Sequence, residues 1–67
     1  MVANRIRELR EARGESQAGL SVRIGTTVFY LGLIELHGHL PGANLRARIA
    51  AALDVTEAEV WPVVEVK

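Results

Sequence analysis

Apolar residues recur along this chain at helical spacing in separate stretches, with polar residues and turn formers between them. Ile6 and Leu9 share one face of a first stretch, because residues three and four apart are neighbours on a helix surface. Leu20 and Ile24 repeat the spacing in a second stretch, Leu31 and Ile34 in a third, and Leu45, Ile49, Ala52 and Leu53 in a fourth. The residues between them agree with this division. Asn4, Ser16 and Thr27 stand just before the first three stretches, where a side-chain oxygen can accept from an otherwise unpaired N–H. Gly14 and Gly25 stand just after the first two, where a left-handed residue ends a helix. Thr56 with Glu59 three residues later has the spacing of a capping box, and Pro62 stops the short helix that it starts. The pattern predicts five helices, over about residues 5–13, 17–24, 28–36, 43–53 and 57–61. Leu40 precedes Pro41 in the loop between the third and fourth, so it is expected to be extended. Val63 to Val66 are strand-like in composition and read as a tail.

The second and third helices carry the most information. They are joined by a turn of three residues containing Gly25, and two helices crossing over such a turn form a helix-turn-helix. Leu20 and Ile24 on one side and Leu31 and Ile34 on the other are expected to hold the crossing. Gly19 is expected to weaken the second helix by roughly 1 kcal/mol relative to alanine. The third helix is unusually apolar, with Val28, Phe29, Tyr30, Leu33 and Leu36 in addition to its core pair.

The 67 residues read as a single domain, with a core in 4–61 and a tail in 62–67. A chain this size buries about 60% of its unfolded surface and gains from efficient packing or dimerisation. There is no cysteine, which excludes disulfides and thiolate metal sites. The longest apolar run is too short for a bilayer span, and the mixed Arg and Glu near the start do not suit a secretory signal. A cytoplasmic location with no membrane contact is therefore expected. Net charge is zero, but residues 1–31 hold five Arg against three Glu, a balance of +2, while residues 32–67 hold three cations against five acids, a balance of −2. Seven of the eight cations are Arg. That suits phosphate contacts, and it equally suits a GC-rich coding bias.

The chain resembles the lambda-repressor-like, Cro/C1-type (XRE) helix-turn-helix domains. The likeness is carried by Arg-Ile-Arg-Glu-Leu-Arg-Glu-Ala-Arg-Gly at 5–14, Ser16-Gln17 with Leu20, Ile24-Gly25, Leu31, Ile34-Glu35, Pro41, Ile49-Ala50 and Leu53 with Val55. It covers about residues 4–61. It implies an all-α, compact five-helix domain that binds double-stranded DNA as a homodimer, with its third helix in the major groove, and regulates transcription in the bacterial or phage manner, as a repressor does. By the same resemblance Gln17 would touch a phosphate, Thr27 would sit near the backbone at the mouth of the third helix, and Val28, Phe29 and Leu33 would face base edges with Gly32 between them. Tyr30 and His39 would lie on the DNA side, and Arg10 would pair with Glu35 beneath the surface. Domains of this kind usually place polar or cationic residues at the base-reading positions, and here those positions are apolar.

Several readings stay open at this level. Phe29, Tyr30, Leu33 and Leu36 suit extra core or a dimer contact, an apolar wedge or methyl reader on DNA, or a surface for a protein partner. Arg5, Arg7, Arg10 and Arg13 suit a solvated helix face paired with Glu8 and Glu11, or phosphate contacts. Trp61 suits closure of the core, or a dimer seam with the Val63 to Val66 tail. His37 and His39 are the one group resembling metal ligands, and with no cysteine or loop acid beside them they read as loop histidines. No metal or cofactor is expected. No nucleophile–base grouping, phosphate loop or inward carboxylate pair stands out, so an enzyme is not expected. The rival to the DNA reading is a protein-interaction or dimerisation module on the same fold, whose third helix no longer reads DNA.

Overall fold

The computed structural model describes residues 4–62, and they form five helices with no strand. The helices are α1 (Ile6–Ala12), α2 (Gln17–Ile24), α3 (Val28–His37), α4 (Ala43–Leu53) and α5 (Glu57–Val60). The Val63 to Val66 tail lies outside the described residues.

Local chemistry explains where most helices begin. The Ser16 hydroxyl accepts from Gly19 N at 2.9 Å, and Thr27 Oγ1 accepts from Tyr30 N at 3.0 Å. Thr56 and Glu59 form the reciprocal capping box that their spacing predicts. Gly25 ends α2 at φ +75°, a conformation that glycine adopts without penalty. Between α2 and α3 the chain turns by 110°, within the range of a helix-turn-helix.

Four helix ends differ from the sequence expectation. α1 is shorter at both ends: Arg5 occupies its N-cap position, and Gly14 stands two residues past Ala12. Asn4 still caps it from one residue further out, accepting from Ile6 N at 3.1 Å. α3 winds on through His37, because the left-handed residue that ends it is Gly38. α5 stops at Val60, one residue short of Trp61.

Each helix contributes to one core. Ile6, Leu20, Ile24, Leu31, Ile34, Ile49, Ala50, Leu53 and Val60 are buried, and Leu9, Tyr30, Leu45, Ala52, Val55 and Trp61 pack half-buried around them. Full burial of an aliphatic side chain stabilises by about 1.5 to 3 kcal/mol, so this cluster outweighs any surface ion pair. The spacing of α4 puts Leu45 and Ala52 on the inward side with Ile49 and Leu53. Leu45 and Ala52 sit at the margin because α4 turns Ile49, Ala50 and Leu53 to the centre. Trp61 packs against the core edge. No single helix is long and apolar enough to cross a membrane.

Candidate nucleic-acid interface

α3 has two unlike sides. Its rear carries Leu31, Ile34 and Glu35, all buried. Its front carries Val28, Phe29 and Leu36, exposed by 44%, 76% and 64%, with Gly32 and Leu33 half-buried among them. Burial of Phe29 within its own domain is thereby excluded. Tyr30 turns the other way and packs on the core edge.

The rear is fixed by a bonded network joining three helices. Arg10 of α1 donates from Nε to Glu35 Oε2 and from Nη2 to Glu35 Oε1, both at 3.0 Å. Its Nη1 donates to the Glu15 carbonyl at 3.0 Å. Gln17 of α2 donates from Nε2 to Glu35 Oε1 at 3.2 Å. The bond to Glu35 raises the Arg10 pKa further, against the opposing effect of burial. Asn4 adds a fourth tie: its Nδ2 donates to the Ile34 carbonyl at 2.8 Å.

Of the positions named from the sequence, Gln17, Val28, Phe29, Gly32 and Leu33 come together around one open groove, joined by Leu36 and His37. Thr27, Tyr30 and His39 lie outside it. Thr27 spends its hydroxyl oxygen on the α3 cap. The Tyr30 hydroxyl and His39 Nε2 are 2.9 Å apart, with their rings edge to face. Gln17 directs its amide nitrogen at Glu35. A larger depression beside α1 is lined by the Arg5–Glu8 and Arg7–Glu11 pairs, whose charges neutralise each other. Among the described residues no three His, Cys, Asp or Glu side chains come together as a metal set.

Charge is segregated more sharply than a comparison of the two halves of the chain suggests. From residue 16 to residue 53, the span of α2, α3 and α4, the one carboxylate is Glu35. It is buried and bound by Arg10. The same span holds Arg23, Arg46 and Arg48. Arg23 pairs with Glu15, and Arg46 with Glu57. Among the described residues Arg13 and Arg48 form no ion pair. Arg48 Nη1 lies 3.4 Å from where a side-chain carbon on Gly25 would be, so α4 lays a cation against the turn that leads into α3. Counting acids over this span, rather than over halves of the chain, would have found this in the sequence.

Gly32 sits mid-helix on the exposed side. A methyl group there would meet only Gln17 Nε2, at an ordinary contact distance of 3.9 Å. Gly32→Ala is therefore expected to stabilise the domain by about 0.5 to 1 kcal/mol through helix propensity alone. A thermal melt checks this, and a fall in Tm would mean that Gln17 cannot accommodate the added carbon. Gly19 is different. Its added carbon would lie 3.1 Å from Ser16 Oγ, so the gain expected from alanine there is opposed by crowding of the cap.

The chain matches no protein-family model and no curated protein. It is similar to a solved structure, the restriction-modification controller protein C.AhdI from Aeromonas hydrophila. The two are 34% identical and superpose with a TM-score of 0.75, over 82% of this chain and 83% of that one. With this identity over most of both chains, the protein belongs to the same helix-turn-helix family as that controller protein.

Proposed function

We propose that the protein is a sequence-specific regulator of transcription that binds duplex DNA as a homodimer, with α3 of each copy in the major groove. One observation carries the reading: the span containing α2, α3 and α4 presents no unpaired carboxylate, since its only acid is the buried Glu35. Helices that contribute no exposed carboxylate of their own suit a polyanion. Kinship with a restriction-modification controller supports the regulatory role. The proposal takes the chain as a single domain with its core in residues 4–61. A domain this small covers little DNA alone, and two copies on half-sites one helical turn apart give the affinity that one lacks.

Affinity should fall with salt. Each neutralised phosphate contributes about 0.9 to the slope of log affinity against log salt. Among the described residues Arg13 and Arg48 supply two unpaired cations per copy, so a slope of about 3 to 5 is expected for a pair of domains. Titrating random-sequence duplex at two salt concentrations measures it. Absence of any duplex binding at low salt overturns the proposal.

The exposure of Phe29 and Leu36 favours a second reading, a protein-interaction module whose α3 docks on a partner. Under that reading Phe29→Ala abolishes self-association or partner capture in sedimentation and leaves duplex affinity unchanged.

A further inference from the structure

Along the exposed side of α3, from Val28 to Leu36, no side chain carries a hydrogen-bonding group, and the first that does is His37 in the last turn. Val28, Phe29, Gly32, Leu33 and Leu36 are linked by spacings of three and four, which places them on one helix face. Base edges in the major groove are distinguished by donors and acceptors, with one exception, the C5-methyl group of thymine. The apolar stretch ahead of His37 therefore has only that methyl group to recognise. The centre of this face is open as well. Gly32 carries no side chain, and the space where one would begin meets only Gln17 Nε2, 3.9 Å away. Val28 and Phe29 precede that gap by one helical turn, and Leu36 follows it by one.

We propose that α3 reads pyrimidine C5-methyl groups, seating them in the gap over Gly32, and that Phe29 sets the specificity. This rests on the DNA reading above and adds to it the chemistry being read. The occupant is duplex DNA because α2, α3 and α4 contribute no exposed carboxylate of their own and Arg48 lies against the turn leading into α3. A methyl group on cytosine occupies the same ring position as that of thymine, so 5-methylcytosine is a ligand of the same face. Cytosine methylation within the site therefore strengthens binding. A helix that recognises bases through hydrogen bonds gains nothing from that methyl.

Duplexes enriched from a random pool by the wild-type protein, then resynthesised with deoxyuridine for thymidine, lose only methyl groups. Burying one methyl is worth about 0.8 kcal/mol, or about fourfold in affinity. The expected loss is about fourfold per methyl read and more than tenfold for two. Placing 5-methylcytosine instead of cytosine at a position read as thymine should restore about fourfold. Phe29→Ala should reduce the thymine-to-uracil ratio to near one, and Phe29→Leu should keep part of it. Phe29 is exposed, so an unchanged melt confirms that these variants fold. Equal affinity for the thymine and uracil duplexes overturns this inference and leaves the DNA reading standing. Failure to enrich any duplex overturns both.

Discussion

Arg10→Met should destabilise the domain by about 3 to 5 kcal/mol, the largest effect of any single substitution outside the apolar core. The side chain of Glu35 is 1% exposed, and that of Arg10 is 10% exposed. Two parallel N–H donors from Arg10 meet the two carboxylate oxygens, a geometry that suits the guanidinium fork. Removing the arginine leaves Glu35 buried with only the Gln17 amide as a partner. A domain of this size has roughly 3 to 9 kcal/mol of stability in total, so the variant should be largely unfolded at moderate urea. The pair itself adds little over an apolar replacement of the same volume. Arg10→Met combined with Glu35→Leu should therefore recover most of the loss, short of what Gln17 forfeits without its acceptor. Urea melts of the two single variants and the double variant measure this. A loss below about 1 kcal/mol for Arg10→Met would mean that water reaches Glu35 when the arginine is gone.

Asn4→Ala should cost about 2 to 4 kcal/mol, from two separate losses. The first is the cap on α1, since Asn4 Oδ1 accepts from Ile6 N. The second is the donor to the Ile34 carbonyl. That carbonyl lies in the last turn of α3, where backbone acceptors lack partners within the helix. Asn4 is 5% exposed, so water does not readily replace it. Asn4→Asp separates the two losses: it retains an acceptor for Ile6 but sets an oxygen against the Ile34 carbonyl. Thermal melts should rank Asp at least as costly as Ala. A nearly neutral Asn4→Asp would assign the effect to the cap alone.

These two residues also mark where the sequence stops being readable. Ser16, Thr27 and the Thr56–Glu59 box act on N–H groups within three residues, so spacing alone located them. The donor bond from Asn4 to Ile34 spans 30 residues, and no local pattern announces it. Arg10 with Glu35 came from a family likeness, because a charged residue at helical spacing looks the same whether it faces water or another helix. The Gln17–Glu35 bond followed from neither source. It becomes visible once α1, α2 and α3 are packed. α3 ends one residue beyond the expectation because His37 is compatible with either helix or loop, and the left-handed Gly38 decides. The exposure of Phe29 was likewise undecided in the sequence, since helical periodicity assigns a face but not what covers it.

The opposition between the two sides of α3 bears on how such a protein diversifies. Everything that orients the helix acts on its rear or its ends: Arg10, Gln17 and Asn4 from other helices, Thr27 and Gly38 at the termini. Val28, Phe29, Gly32, Leu33 and Leu36 take no side-chain part in that hold. Substitutions at the exposed Val28, Phe29 and Leu36 are close to neutral for folding, as exposed sites usually are, and the half-buried Gly32 and Leu33 lie outside the bonded hold. The five positions form a short cassette that drift or selection can recode while the scaffold stays unchanged. Duplicated copies can acquire different target preferences through changes confined to nine consecutive residues, and a designer can exchange the same segment without rebuilding the core.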